Sequence, residues 1–366
     1  MQKIKLLSIL HRSPPAHGAS KVGDFISSSQ NINEEFDCYY ITIKSSDTIS
    51  DIGKISIKKI YLVIELYIKI LWALISFRPN KIYFTASISG VAFYRDLVVS
   101  SLWKIYRLFK NVNIYYHYHT KGINNFVSSS ERNLKLTSFF IKNVNLILLS
   151  PILFSDFNKI KSFDKVYYLP NGVENILNNI EFVKKDRVDI LYLSNMIKSK
   201  GYFSVLELAN KTKDRGIYYH FAGGWQDDDD KEEFFRYLEE NDLSKKVVFY
   251  GFINGKEKSD LFKKSDIFMF PTRYKNEAFP LTILEALSYG IPIISTDEGS
   301  IPYILDNKSG IILNNLDNLE NALNQAVNTL LNRETSIYCR DRYLNHFTLR
   351  KFEKNFLNIF KESHNV

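Results

Sequence analysis

Short apolar segments alternate with amphipathic segments along the whole chain, in the manner of strands that alternate with helices. In the first half this pattern predicts strands at Ile4–Leu10, Cys38–Ile43, Lys81–Thr85, Ile114–His119, Leu146–Ser150 and Val166–Leu169. The second half starts the alternation again, with strands predicted at Asp189–Ser194, Tyr218–Ala222, Val247–Tyr250, Ile267–Phe270 and Ile293–Ser295. Strands that alternate with helices indicate parallel sheets covered by helices. The sequence therefore predicts an α/β protein with two Rossmann-like, doubly wound domains.

A polar stretch, ENILNNIEFVKKDR, separates the two alternating patterns. We therefore predict an N-terminal domain over residues 1–180 and a C-terminal domain over residues 187–345. Apolar residues recur at helical spacing between His346 and Glu362, which indicates a final amphipathic helix that needs a partner surface. The total of 366 residues is enough for two domains of ordinary size.

The basic charge is concentrated in the first half of the chain. Residues 1–186 carry 24 Lys and Arg against 14 Asp and Glu, whereas the remainder carries 24 against 26. This asymmetry favours an anionic partner for the first half, although ordinary solvated lysines explain it as well. Nucleic acid is not expected, because the chain has no arginine-rich helix, zinc pattern or aromatic-basic RNA motif. An anionic membrane face or a lipid-diphosphate acceptor fits better.

Several features predict a cytoplasmic protein. The first apolar segment is too short for a signal peptide and is typical of a first strand. The two cysteines, Cys38 and Cys339, suggest neither a disulfide framework nor a metal cluster. The segment from Ile60 to Phe77 is apolar, but Glu65 and Lys69 interrupt it, so we expect a buried or interfacial helix and not a membrane span.

The segment from Phe270 to Gly299 carries the most informative chemistry. Glu277 and Glu285 lie eight residues apart, and the apolar pattern after Pro280 predicts a helix that begins near Leu281. The free amides of Leu281 and Thr282 at its N-terminus would hold an anion. Two carboxylates on either side of such amides suit a ligand with hydroxyls at both ends and phosphate between them. A nucleotide-activated sugar has this layout.

The pattern E-A-F-P-L-x-x-L-E-A around these glutamates resembles the signature of retaining glycosyltransferases with the GT-B fold, specifically family 4 (glycosyl transferases group 1). The resemblance extends to the order of elements along nearly the whole chain. It implies two domains that face a cleft, with the last helix crossing back onto the N-terminal domain. It also implies that Glu277 binds the donor sugar and Glu285 the ribose of a nucleoside-diphosphate sugar such as a UDP-sugar.

The remaining donor residues follow from the same resemblance and from local chemistry. Lys200 lies at a turn between a strand and a helix, where a lysine is well placed to pair with a diphosphate. The family usually has an arginine where this chain has Asn195, so Arg273 is a candidate for the missing charge, or donor activation is weakened. Gly18 resembles the family's glycine loop, and Gly223 its second-domain turn. The predicted donor residues are Gly18, Asn195, Lys200, Gly223, Arg273, Glu277, Ala278, Phe279, Pro280, Leu281, Thr282 and Glu285.

Two histidines in the run IYYHYHTKG are candidates for the reacting end of the site. Strand alternation places His117 and His119 on one face, and His119 lies nearer the C-terminal edge, where ligands bind in such sheets. The resemblance implies a histidine beside the reacting sugar; we favour His119, and a buried, hydrogen-bonded histidine is the alternative. The predicted catalytic residues are His119, Lys200 and Glu277. The predicted acceptor residues are His17, His117 and Lys121.

No metal and no further cofactor are expected. The acidic run Asp227–Asp230 precedes a predicted helix, where acidic residues interact favourably with the helix dipole.

The predicted activity is a retaining, metal-independent transfer of a sugar to a glycan or lipid-linked acceptor at the inner membrane face. The pathway would be synthesis of a cell-surface polysaccharide such as lipopolysaccharide or capsule. Two alternatives are a non-catalytic GT-B partner subunit, which Asn195 favours, and a GT-B sugar-nucleotide epimerase. The pattern does not identify the donor sugar.

Overall fold

The computed structural model describes residues 3–14, 17–44, 57–177, 179–180, 182–183 and 185–362. Two residues of the predicted glycine loop, Pro15 and Ala16, therefore lie outside the described residues. The chain divides into two compact units. The first comprises Met1–Asn171 with Arg350–Val366, and the second comprises Gly172–Leu349. Each unit is described separately below.

The first unit is built on a six-stranded parallel sheet with strand order β2-β1-β3-β4-β5-β6. Its strands are β1 (Lys5–Leu10), β2 (Asp37–Thr42), β3 (Lys81–Ala86), β4 (Asn113–Tyr118), β5 (Asn145–Leu148) and β6 (Val166–Tyr168). Its helices are α1 (Gly18–Ser28), α2 (Gln30–Glu35), α3 (Ile57–Ser76), α4 (Gly90–Phe109), α5 (Ile123–Ser128) and α6 (Glu131–Phe140), with α14 (Leu349–Glu362) added from the end of the chain.

Two apolar layers cover the faces of this sheet. One contains the inward sides of α3, α4 and α6, with Trp103 as its largest fully buried side chain. The other contains α1, α2 and α14. Phe356 and Phe360 of α14 stack with centroids 4.5 Å apart, and Phe360 lies 4.5 Å from the ring of Tyr115 on β4. The last helix therefore packs on the N-terminal sheet, as the family resemblance implied.

The second unit is also built on a six-stranded parallel sheet, with strand order β12-β11-β10-β7-β8-β9. Its strands are β7 (Val188–Leu193), β8 (Ile217–Ala222), β9 (Val247–Phe249), β10 (Ile267–Phe270), β11 (Ile293–Thr296) and β12 (Gly310–Leu313). Its helices are α7 (Tyr202–Lys211), α8 (Asp228–Glu240), α9 (Gly255–Lys264), α10 (Leu281–Ser288), α11 (Ile301–Ile304), α12 (Leu319–Thr329) and α13 (Arg333–His346). This is the strand order of a Rossmann fold. Successive strands are added outwards from β7 on one side and outwards from β10 on the other, so the strand order reverses between these two strands.

The predicted strands agree with the observed strands to within two residues at each end. One difference matters for the site. β4 ends at Tyr118, because its partner strand β3 ends at Ala86, so His119 is the first residue beyond the strand. The pattern also missed β12, a four-residue strand at the edge of the sheet. None of the described helices has both the length and the apolar character required to cross a membrane.

We expect Phe356→Ala to destabilise the first unit strongly, because Phe356 is fully buried between Tyr83 and Phe360. Removing a buried aromatic ring costs about 3–5 kcal/mol of unfolding free energy. The measurement is denaturant unfolding followed by circular dichroism. Lys361→Ala is the control on the same helix, because its ion pair with Glu35 is exposed and contributes at most about 1 kcal/mol. Equal losses in the two variants would contradict this packing.

Candidate active site

The centre of the candidate site is an ion pair between Lys200 and Glu277. The Lys200 Nζ lies 3.1 Å from the Glu277 Oε2, and both side chains are largely shielded from solvent. Lys200 follows β7 and Glu277 follows β10. These two parallel strands are neighbours at the point where the order of the strands in the sheet reverses. In open α/β sheets, ligands bind beyond the C-terminal ends of the strands at this reversal. The ion pair therefore lies where the fold favours a ligand.

The backbone around Lys200 brings it close to the end of β10. Gly201 has a φ of +88°, and a Cβ there would lie 2.3 Å from the carbonyl oxygen of Pro271. Only glycine tolerates both the left-handed conformation and this close approach. The Lys200 ammonium also lies 5.1 Å from the ring centroid of Tyr274. Glu277 is held by a turn in which its N–H donates to the Tyr274 carbonyl at 2.8 Å.

The helix α10 begins four residues after Glu277. Pro280 precedes its first turn, and the amides of Leu281 and Thr282 belong to the N-terminal groups that have no acceptor within a helix. Ala278 and Phe279 are buried, and the Ala278 carbonyl accepts from the Ser300 N–H at 2.8 Å. This contact fixes the loop between the carboxylate and the helix. The amides and Lys200 together supply positive charge beside Glu277.

Glu285 lies one turn into α10 and pairs with a lysine that the sequence pattern does not indicate. The Lys258 Nζ of α9 lies 2.6 Å from the Glu285 Oε2. Both side chains are about one-fifth exposed, so the pair is partly desolvated. No sequence signal distinguishes Lys258 from the other lysines of α9, because the contact depends on how α9 packs beside α10. Each of the two predicted glutamates is therefore paired with a lysine.

A second group of candidate residues lies at the C-terminal edge of the first sheet. His117 is buried, and its Nδ1 lies 2.7 Å from the Tyr83 hydroxyl. The rings of His117 and His119 have centroids 4.0 Å apart. Both ring nitrogens of His119 are shielded from solvent without a hydrogen-bond partner. Buried polar atoms are normally paired, so these two unpaired nitrogens are an exception that makes His119 a candidate functional residue.

His11, which is not among the predicted site residues, also belongs to this histidine cluster. It follows β1 directly, and its ring centroid lies 5.6 Å from that of His17. Burial, the Arg95 guanidinium and the neighbouring histidines lower the pKa of His11 to about 3. Burial and His17 likewise lower the pKa of His119 to about 3. Both rings are therefore neutral at physiological pH, and each can both donate and accept a hydrogen bond.

Comparisons with known proteins agree with this geometry. Residues 174–342, nearly all of the second unit, match the family described as glycosyl transferases group 1. The second unit is a glycosyl transferases group 1 domain. The whole chain is similar to the crystal structure of a glycosyltransferase from Rickettsia africae, with a TM-score of 0.73 at 17% identity and complete coverage of both chains. The fold is therefore GT-B.

Two curated relatives are similar over part of the chain. The O-antigen biosynthesis glycosyltransferase WclY of Escherichia coli is 27% identical over 46% of this chain and 46% of its own length. An Escherichia coli UDP-Gal:alpha-D-GlcNAc-diphosphoundecaprenol alpha-1,3-galactosyltransferase is 30% identical over 32% of this chain and 30% of its own length. The chain thus spans less than half the length of the curated relatives it matches.

Three predicted donor residues of the group 1 domain have distinct surroundings. Asn195 is exposed just after β7. The Arg273 Nη1 lies 3.0 Å from the Asp297 Oδ1. Arg273 is the candidate for the positive charge that is missing at Asn195, and the Asp297 carboxylate already balances that charge. Gly223 has a φ of +153°, and a Cβ there would lie 1.7 Å from the Ser194 carbonyl oxygen. This close approach explains Gly223 as a structural requirement of the turn, and its contact with the donor remains a prediction.

The other predicted residues belong to the first unit. Gly18 is the first residue of α1, with open space where a Cβ would lie. The His17 Nδ1 accepts from the Ser20 N–H at 3.2 Å and so caps α1. Lys121 is half-buried three residues after β4. The acidic run of the second unit has a local explanation: the Asp227 carboxylate accepts from the Asp229 and Asp230 amides at the start of α8.

The neutral His119 makes the stability of the protein sensitive to acid. Because its pKa is lower in the folded protein than in the unfolded chain, the unfolded chain takes up the proton first as pH falls. We expect unfolding free energy to be lost between the ordinary histidine pKa near 6.5 and about 3, by about 1.4 kcal/mol per pH unit. His119→Gln should reduce this loss, measured by denaturant unfolding at several pH values. The exposed His346 supplies the control, His346→Gln. An unchanged pH slope in His119→Gln would contradict the assignment.

Proposed function

We propose that this chain is a glycosyltransferase that transfers a sugar from a nucleoside-diphosphate sugar to an acceptor hydroxyl in the synthesis of a cell-surface polysaccharide. The observation that carries the proposal is the Lys200–Glu277 pair at the reversal point of a group 1 domain, beside the N-terminus of α10. The O-antigen relative supports the pathway, and the galactosyltransferase relative supports a UDP-sugar as the donor class.

The donor would lie along the start of α10. Glu285 would accept hydrogen bonds from the ribose hydroxyls, and Glu277 from the hydroxyls of the sugar. The diphosphate between them would meet Lys200 and the amides of Leu281 and Thr282. The spacing supports this order, because Glu277 precedes the helix and Glu285 lies one turn within it. Lys200 would exchange its ion pair with Glu277 for one with the diphosphate.

We propose a retaining reaction without a metal ion. The bond between the anomeric carbon and the diphosphate oxygen breaks, and a bond to the acceptor hydroxyl oxygen forms on the same face of the sugar. The hydroxyl proton passes to the leaving phosphate. Lys200 and the α10 amides would stabilise the charge that develops on this phosphate. Glu277, which Lys200 holds in place until the donor binds, would orient the sugar and not attack it.

The first unit would bind the acceptor. The unpaired nitrogens of His119 suit sugar hydroxyls, which donate and accept hydrogen bonds as neutral imidazoles do. His17, His117 and Lys121 would complete the acceptor surface, and Gly18 would face the donor phosphate. A lipid-linked acceptor, as in the name of the galactosyltransferase relative, would place the protein at the inner face of the cytoplasmic membrane.

The proposed function predicts selective nucleotide binding without metal. We expect calorimetric titration of the purified chain in the presence of a chelator to show binding of one nucleoside diphosphate from a panel. The matching sugar nucleotide should bind more tightly, because Glu277 adds contacts to the sugar. If a folded sample bound no member of the panel, the donor site would be wrong. Asn195 and the neutralised Arg273 would then favour a non-catalytic partner subunit. Conversion of the donor without any acceptor would instead favour an epimerase.

The pairing of Lys258 with Glu285 predicts coupled effects on nucleoside diphosphate binding. Glu285→Ala should weaken binding by about 1–3 kcal/mol, since a charged hydrogen-bond partner is lost. Lys258→Met should also weaken binding, because Lys258 holds the Glu285 carboxylate in place. In the double variant the two losses should not add, because the residues act as one unit.

The measurement for this pair is calorimetry on the parent, both single variants and the double variant. Glu257→Ala is the matched control, since Glu257 is an exposed carboxylate on the same helix as Lys258. Additive losses would show that Lys258 does not act through Glu285.

A further inference from the structure

A broad apolar surface covers the outside of the first unit. Among its described side chains, helix α3 exposes seven large apolar ones, each more than 40% accessible: Ile60, Tyr61, Ile64, Ile68, Leu71, Trp72 and Ile75. At about 100° per residue these seven positions fall within an arc of about 120° on the helix. The opposite side of α3 is buried in the core through residues such as Leu66, Ile70 and Leu74. Helix α3 is thus apolar on both its inner and outer sides.

The neighbouring helix continues the same surface. Helix α4 packs against α3 and exposes Val91, Tyr94, Val98, Ile105, Leu108 and Phe109. These positions also share one side of their helix, within an arc of about 100°. Both helices cover the same face of the sheet, so their outer sides look away from it in the same direction. Proteins that work free in water rarely expose an apolar patch of this extent.

The charges that border this surface are positive on balance. Lys69 lies at the edge of the α3 arc, Lys104 at the edge of the α4 arc, and Lys110 at the end of α4. On the described parts of α3 and α4 the acidic side chains are Glu65, which pairs with Lys44 and Lys69, and Asp96, which is buried against Arg95. The described side chains of the two helices therefore carry a net positive charge, with Lys69, Arg95, Lys104 and Arg107 against Glu65 and Asp96.

We propose that the outer face of α3 and α4 docks on an anionic lipid bilayer. An apolar helix face with cationic edges lies in the plane of the interface, with its apolar side chains among the acyl chains and its lysines at the headgroups. Anionic headgroups attract each nearby lysine or arginine. A second copy of this chain fits less well, because two faces with the same positive border repel each other.

Docking on a bilayer adds a membrane partner to the proposed function. It rests on that proposal in one respect, the lipid-linked acceptor. Docking through α3 and α4 would hold the first unit, with its histidine cluster, at the surface where a lipid-linked acceptor is embedded. The apolar surface itself takes no part in donor binding, which we assign to the second unit. Vesicle binding and nucleotide binding can therefore fail independently.

The test is co-sedimentation of the full chain with phosphatidylcholine vesicles and with vesicles that also contain phosphatidylglycerol. We expect binding to the anionic vesicles and weaker binding as salt is raised. Ile64→Ser, Ile68→Ser and Trp72→Ser, combined in one variant, should lower the partition coefficient by about tenfold or more, since three exposed apolar side chains lose their contact with lipid. The thermal unfolding temperature should fall only slightly, because all three side chains are more than half exposed and Trp72 alone contacts another ring, that of Tyr39.

The matched control combines Ile176→Ser, Val183→Ser and Ile337→Ser, which remove exposed apolar side chains from the second unit. The control should bind vesicles as the parent does.

Equal binding by the parent and the α3 variant, or no binding of the folded parent to anionic vesicles, would overturn the proposal. A dimer of the parent in sedimentation without lipid, lost in the α3 variant, would assign the face to a second copy instead. Vesicle binding without nucleotide binding would leave this inference standing and refute the proposed function.

Discussion

The ion pair between Lys200 and Glu277 is the interaction on which the candidate active site depends. It joins the ends of β7 and β10, the two strands between which the strand order of the second sheet reverses. Gly201 permits the close approach of the two segments, because any side chain there would collide with the Pro271 carbonyl. A partly desolvated lysine and carboxylate stabilise each other, and either one left alone would carry an uncompensated charge. The fold thus holds both charges where the proposed donor would place its diphosphate and sugar hydroxyls.

The two units supply complementary chemistry. The second unit presents fixed charges, with a lysine beside each glutamate and helix amides between them. The first unit presents neutral histidines, because burial keeps His11 and His119 unprotonated. Charged groups suit the diphosphate of a donor, and neutral imidazoles suit the hydroxyls of a glycan acceptor. The apolar face of α3 and α4 belongs to the unit with the histidines, as a lipid-linked acceptor would require.

Sequence periodicity predicted the strands closely, because buried parallel strands are short apolar runs between turns. The short helix that begins at Leu281 followed from the turn residues and the apolar pattern, and so did the positions of the two glutamates around its start. The sequence pattern did not predict the partners of the site residues. Lys258 meets Glu285 through the packing of two helices, and Arg95 comes near His11 from a helix that follows another strand. Contacts between elements distant in sequence leave no local signal. His11 could have been found, since it directly follows β1 at the edge where ligands bind.

The most direct test of the account compares Lys200→Met and Glu277→Gln in calorimetric titrations. Each variant and the parent would be titrated with the nucleoside diphosphate that the parent binds and with the corresponding sugar nucleotide. We expect Lys200→Met to weaken the binding of both ligands alike, because both carry the diphosphate. Glu277→Gln should leave the affinity for the nucleoside diphosphate nearly unchanged and remove the extra affinity that the sugar provides. Equal weakening of both ligands by Glu277→Gln, or no effect of Lys200→Met on either, would contradict it.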